Sequence, residues 1–192
     1  RGGDVFVPDS RSRVVFRRPP GGHELESIRP PLFRSLQGLA PTRDGRYLYL
    51  ADYTHGLLRM DLATRAVVRV ALSGGGTSLG IDGMVLIGTR LFAVQNGVAP
   101  PRVVRFDLAS DGISARVQVV DRTLPLADEP TILTVLGDQL IYVANSHWEK
   151  YDDTGVRRPG TRLTGPVLLA DRQSVVQGKS ADLGGRRIIK NN

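Results

Sequence analysis

The sequence predicts an all-β chain, a β-propeller fragment of about three and a half four-stranded blades. Three observations carry that prediction. The first is a repeated hexapeptide, Arg59-Met60-Asp61-Leu62-Ala63-Thr64 and Arg105-Phe106-Asp107-Leu108-Ala109-Ser110, 46 residues apart. The second is a set of alternating apolar segments aligned at Val5, Leu48, Leu91 and Leu140, spaced by 43, 43 and 49 residues. A period near 45 with short strands between turn signals is the signature of propeller blades. The third is an absence: no stretch keeps a 3.6-residue apolar periodicity, so almost no helix is expected. A β-sandwich is the competing all-β arrangement, but it gives no reason for one motif to recur at this period.

The elements follow in chain order. Val5-Phe6-Val7-Pro8-Asp9 opens a partial blade over residues 3–30, which reads as the later strands of an earlier unit. The first whole blade spans 36–76, with strands at 38–41, 47–51, 56–61 and 66–72. Its breaks fall at Arg43-Asp44-Gly45, His55-Gly56 and Thr64-Arg65, and Asp-Gly is a tight-turn signal between strands. The second blade spans 80–122 around Arg90-Leu91-Phe92-Ala93-Val94-Gln95-Asn96, and the third spans 127–169 around Gln139-Leu140-Ile141-Tyr142-Val143-Ala144-Asn145. Closed propellers have about four to eight blades. Blades bury their faces against neighbours, so part of a ring leaves apolar faces uncovered. Residues 1–170 are therefore expected to be a ring fragment whose N-terminal blades are missing.

The blade pattern stops near Leu169. Residues 171–192 are similar to the conceptual translation of a short-read sequencing adapter, with departures at Gln173, Gln177, Ala181 and the final Asn191-Asn192. On that reading the segment is a disordered, non-native tail. The alternative is a natural basic extension. Its glycines lack the flanking strand and the Gly-x-x-x-x-Gly-Lys spacing of a phosphate loop.

Composition excludes several function classes. With 192 residues, 41% hydrophobic and 23% charged, the chain is too apolar for intrinsic disorder. The absence of cysteine removes disulfides, thiolate metal sites and Cys nucleophiles. No apolar run approaches the roughly 18 residues of a spanning helix. Of the net charge of +7, +3 lies in residues 171–192; the rest comes from arginines scattered along the strand-like segments, where Lys150 is the only lysine before residue 171. Without a basic stripe or interleaved aromatics, nucleic-acid binding is not expected. The arginine bias fits a GC-rich, bacterial source. Location stays open between cytoplasm and periplasm or secretion, and so does oligomeric state.

In a propeller the inner strands converge on a central channel, so residues just ahead of each inner strand face its mouth. Gln37, Asp82 and Glu129 stand there, each 9 to 11 residues before its next-strand leucine. One or two carboxylates with an amide oxygen are donors that hard divalent cations favour. Each residue has a plainer reading. Asp82 before Gly83 suits a turn, Gln37 suits a channel-lining hydrogen bonder, and Glu129 before Pro130 suits a strand-end partner. Asn96 and Asn145 end the second strands as Asp9 and Asp52 do, which favours a turn role beside a channel-mouth one. His147, next to Trp148, is a candidate pocket-rim residue. Ser146 and His147 are adjacent and so point apart, which argues against a nucleophile–base pair.

Leu36-Gln37-Gly38-Leu39-Ala40, followed by Arg43-Asp44-Gly45-Arg46-Tyr47-Leu48-Tyr49-Leu50-Ala51-Asp52, resembles the gluconolactonase and regucalcin-like family. The resemblance covers residues 3–170 and implies the second half of a six-bladed propeller. It implies that Asp82, in Asp82-Gly83-Met84, matches a metal-binding Asp, and that Gln37 stands where the family has a metal-binding Asn. It further implies a divalent cation, Ca²⁺ or Zn²⁺, that polarises a lactone carbonyl and activates water. Glu129 carries no such role, because the family's ligand Glu lies on another blade. Two functions follow as expectations. One is a metal-dependent hydrolase of lactones or related esters, inactive as this fragment. The other is a non-enzymatic module that holds a small molecule or peptide at the channel mouth.

Overall fold

Tyr47–Asp52 explains the architecture, because five of its six residues are buried. Side chains alternate across a strand, so burial of consecutive residues means that both sheet faces are covered. Leu48 and Leu50 join a cluster with Val15, Ile28, Phe33 and Met60 on one side. Tyr49 and Ala51 join Ile81, Leu91, Val104 and Phe106 on the other. Phe92 and Val94 point away from that second cluster and pack on Leu140, Tyr142 and Leu169. Three apolar seams thus hold four sheets face to face in chain order, the packing of a propeller.

The computed structural model describes residues 3–122, 129–171 and 187–189. The first sheet holds β1 (Val5–Asp9), β2 (Val14–Arg18) and β3 (Glu26–Ile28). The second holds β4 (Leu36–Pro41), β5 (Tyr47–Asp52), β6 (Gly56–Asp61) and β7 (Val67–Arg69). All neighbours within these two sheets are antiparallel. A short strand β8 (Ala71–Ser73) leaves the second sheet and joins the third, beside β9 (Ile81–Ile87), β10 (Arg90–Gln95), β11 (Arg102–Leu108) and β12 (Ser114–Asp121). The fourth holds β13 (Leu133–Leu136), β14 (Gln139–Val143), β15 (Leu168–Asp171) and β16 (Arg187–Ile189). A single 3-10 turn, Trp148–Lys150, is the helical element among the described residues.

The chain is therefore all-β and a partial propeller. Three details differ from the sequence reading. The strand expected at 66–72 divides at buried Val70: β7 pairs with β6, while β8 crosses to pair in parallel with β12. The Val70 amide still donates to Leu57, whereas the Ala71 amide donates to Ile113 of the next blade. The fourth sheet draws its third strand from Leu168–Asp171, so residues 144–167 form an excursion instead of strands. Arg187–Ile189, in the stretch expected to lack regular structure, pairs with β15. The physical reason is the open edge of β15, whose unpaired backbone groups accept a further strand. Residues 172–186 and 190–192 lie outside the described residues.

Glycine sets how closely the inner strands approach. A Cβ on Gly38 would lie 2.7 Å from the Asp82 carbonyl oxygen, and one on Gly83 would lie 2.5 Å from the Ile132 Cα. No larger residue fits between β4 and β9, or between β9 and β13, without separating the strands.

Candidate functional site

The register of the inner strands fixes which residues share the channel mouth. Leu39 pairs with Leu50, Met84 with Ala93, and Leu133 with Tyr142. Counting back two residues brings Gln37, Asp82 and Thr131 to equivalent places. Glu129, which the sequence reading set in this arc, lies two residues earlier and forms a parallel bridge to Asn145. The misalignment comes from the β4–β5 turn, two residues longer than the turns joining β9 to β10 and β13 to β14.

Asp82 is the centre of a hydrogen-bond chain that crosses three blades. Its Oδ2 accepts from the Asn96 amide nitrogen at 3.0 Å and from the Thr131 hydroxyl. The Asn96 Oδ1 accepts in turn from the Tyr53 hydroxyl at 3.1 Å. Tyr53 follows β5, Asp82 and Asn96 flank the β9–β10 pair, and Thr131 precedes β13. Burial raises the Tyr53 phenol above its ordinary value, and the carboxylates of Asp82 and Glu129 add to the rise. Tyr53 stays close because Gly97 leaves room for it; a Cβ on Gly97 would sit 2.6 Å from the phenol oxygen.

Glu129 belongs to a second cluster. Burial raises its carboxyl above the ordinary value, and Glu149, hydrogen-bonded to it, raises it further. Glu149 shifts the other way, chiefly through that same hydrogen bond. The Glu149 amide also faces the Glu129 Oε2 at 3.4 Å, and the Ser146 hydroxyl donates to the Glu129 carbonyl at 3.0 Å. Beside this pair, Ser146, Trp148, Tyr151 and Asp152 line a cleft of about 690 Å³, with Trp148 67% exposed.

The remaining candidates do other work. Asn145 is buried; its Oδ1 accepts from the Val167 amide at 2.7 Å and its amide nitrogen donates to the Gly165 carbonyl at 3.0 Å. It ties the end of the 144–167 excursion to β14. His147 is buried too, in a left-handed conformation with φ of 60°. Its Nδ1 lies 2.8 Å from Lys150 Nζ, and its Nε2 lies 3.0 Å from the Thr164 hydroxyl and 3.2 Å from the Asn145 amide nitrogen. Gln37 is half-buried, and its amide makes no hydrogen bond to the described residues. The structure thus joins Asp82 to Asn96, keeps Glu129 nearby, and puts Asn145 and His147 in a separate scaffold.

Three residues went unnoticed in the sequence. Thr131 was recoverable by counting back from Leu133 instead of from Leu140. Tyr53 directly follows the strand-end Asp52 and aligns with Asn96, a repeat-level signal. Glu149 carries no local signal, because the excursion alone brings it to Glu129.

Among the described residues no group of three or more His, Asp or Glu is placed to hold a metal ion. Asp82 is the one carboxylate of its chain, and the Asn96 amide turns nitrogen, not oxygen, toward it. This donor set does not fit a divalent cation.

No protein-family model matches the chain, and no curated protein does. Solved structures do. Hydrazine synthase of Kuenenia stuttgartiensis is similar over 97% of this chain and 46% of its own, at 12% identity and a TM-score of 0.63. Virginiamycin B lyase from Staphylococcus aureus is similar over 73% of this chain and 45% of its own, at 13% identity and a TM-score of 0.55. The RRP9 WD40 repeats are similar over 88% of this chain and 44% of their own, at 13% identity and a TM-score of 0.56. At such identities these likenesses show a shared propeller fold and nothing of activity. The chain spans less than half the length of each of the three. No helix among the described residues is long and apolar enough to cross a membrane.

Proposed function

We propose that this chain supplies part of a propeller whose channel mouth binds a small polar molecule. Asp82 is the acceptor that orients the ligand, with Asn96, Thr131 and Tyr53 fixing its carboxylate. The observation that carries this reading is the Asp82 anchoring by donors from two blades. A carboxylate held by neutral donors, with no cation paired to it among the described residues, keeps a net negative field and a lone pair for a ligand hydroxyl or ammonium group. Gln37, at the equivalent place on the preceding blade, adds an amide that makes no hydrogen bond to the described residues. Propeller pockets with a few convergent polar groups suit such ligands.

A second reading is divalent-cation-dependent hydrolysis of a lactone, with Asp82 and Gln37 as ligands. The position of Asp82 in Asp82-Gly83-Met84 favours it, and the donor set described above counts against it. One experiment separates the two. Thermal unfolding of the full chain is followed while Ca²⁺, Zn²⁺, glucono-δ-lactone and choline are titrated separately, for the native chain and for Asp82→Asn. Stabilisation by choline or the lactone that vanishes in Asp82→Asn, with no response to metal, supports binding without metal. A metal-dependent rise in unfolding temperature, lost in Asp82→Asn, supports the hydrolase reading and overturns the first.

A further inference from the structure

A second site lies on the outer side of the arc, between the edge strands of the first two sheets. Residues from β3, from the connection to β4, and from β7 with the turn before it line a cleft of about 880 Å³. Its wall carries Arg29, Arg34, Arg65 and Arg69, with His55, against Glu26 as the one carboxylate. Glu26 is already shared: Arg17 Nη1 lies 2.9 Å from its Oε2, and Arg65 Nη2 reaches it across the cleft at 3.2 Å. Arg29, Arg34 and Arg69 form no salt bridge among the described residues.

The guanidinium groups are partly held in place by backbone. Arg34 Nη1 donates to the Pro31 and Phe33 carbonyls at 2.7 and 2.9 Å, and Arg29 Nη1 donates to the Ser12 carbonyl at 3.1 Å. Those bonds use one nitrogen of each fork and leave the others for a ligand. The Arg65 Nη1 is buried from water and has no hydrogen-bond partner. His55 Nδ1 donates to the Leu32 carbonyl at 2.8 Å, which orients the ring within the wall. Ile28, Pro30, Pro31 and Val67 make the rest of the lining apolar.

We infer that this cleft binds a small organic phosphate or sulfate, its tetrahedral oxyanion on the arginines and its apolar body against the prolines and Val67. Four arginines against one shared carboxylate match a multiply charged oxyanion better than a single carboxylate, and guanidinium forks match its oxygen geometry. None of Gln37, Asp82, Asn96 or Thr131 lines the cleft, so the inference stands apart from the channel-mouth reading.

Calorimetric titration of the full chain with phenyl phosphate, phenyl sulfate and phenol tests it. The expected result is saturable one-to-one binding of both anions, tighter for the dianionic phosphate, weakened by salt, and absent for phenol. Arg69→Ala, an exposed change, and Arg65→Gly should each weaken phosphate binding at least tenfold. Arg65 has φ of 64°, where glycine is unstrained, so the Gly variant keeps the turn. Failure of both anions to bind, equal binding of phenol, or affinities unchanged in both variants overturns the inference.

Discussion

The Tyr49 hydroxyl donates to the Gly112 carbonyl oxygen at 2.9 Å, joining residues 63 positions apart and two blades. Arg59 repeats the tie from the same sheet: its Nη1 donates to the Asp111 carbonyl at 2.7 Å while its guanidinium lies 4.1 Å from the centre of the Tyr47 ring. The Asp111-Gly112 turn between β11 and β12 is thereby clamped onto the second sheet, next to the β8–β12 crossing. Tyr49 is buried, and burial holds its phenol above its ordinary value. Tyr49→Phe keeps the ring in its seam and removes only the bond. The expected cost is about 1–2 kcal/mol in denaturant unfolding, because the Gly112 carbonyl loses its partner. An unchanged midpoint would show that water replaces the phenol at no cost.

Asp52 carries the largest single load of backbone bonds. Its Oδ2 accepts from the Arg34 and Ser35 amides at 2.7 and 3.0 Å, and its Oδ1 accepts from the Thr54 and His55 amides at 3.1 and 2.9 Å. Burial works to raise its carboxyl, but the bonds from Arg34, Ser35 and His55 outweigh it and the net shift is downward. A carboxyl lowered on folding adds stability that is fully present above the unfolded value. That stability is lost as pH falls below about 4 and through the lower folded value. Asp52→Asn should therefore destabilise the chain by about 2–4 kcal/mol at neutral pH and flatten the acid side of its stability profile. A variant with an unchanged acid slope would remove Asp52 as the cause.

Glu129 and Glu149 invite a titration. Glu149→Gln removes the like charge and leaves an amide that donates to the Glu129 carboxylate. Glu129 should then titrate lower than in the native chain while burial still holds it above the ordinary Glu value. Carboxyl NMR shifts against pH measure this directly, and an unmoved Glu129 midpoint would mean that burial alone raises it.

The blades were legible because their physics is repetitive. Leu48 and Leu91 sit in strands buried on both faces, and Leu140 in one whose positions alternate between buried and half-buried, so the central positions are apolar and the run stands out. The crossing at Val70 was not legible, since Val-Val-Arg-Val-Ala-Leu reads as one strand whichever sheet its far end joins. The site was legible in part. Asp82 sits before a glycine that the close β9–β13 approach requires, and that pairing marks the channel mouth. Glu129 was misplaced because the β4–β5 turn is two residues longer than the β9–β10 and β13–β14 turns, so the count of 11 that reaches Gln37 overshoots Thr131 by two. Glu149 could not be found, because it depends on how residues 144–167 fold back.

Thr131→Val tests whether the channel-mouth chain is a unit. Valine keeps the shape and removes the hydroxyl that donates to Asp82. The expected loss is about 1–2 kcal/mol, with ligand binding at the mouth weakened in step with the Asp82→Asn variant. A double-mutant cycle between Thr131→Val and Asn96→Ala should show coupling above about 0.5 kcal/mol, because both act through one carboxylate oxygen. Strict additivity would mean that Asp82 is held independently by each.

Gly83→Ala tests the geometry on which the whole mouth rests. The added Cβ would meet the Ile132 Cα at 2.5 Å and the Leu133 amide nitrogen at 2.9 Å, and both are backbone atoms that cannot rotate away. Relief requires β9 and β13 to separate, which opens the Phe92–Tyr142 seam and lengthens the Thr131–Asp82 contact together. The expected cost is about 1–3 kcal/mol or more, as for overpacked cores. Gly45→Ala is the matched control. Nothing lies within 4 Å of its added Cβ, so its cost comes from its φ of 70° alone, about 1–2 kcal/mol. Equal losses in both variants would mean that the inner strands are looser than a 2.5 Å approach implies. A larger loss at Gly83, with channel-mouth binding impaired only there, ties inner-strand spacing to the site.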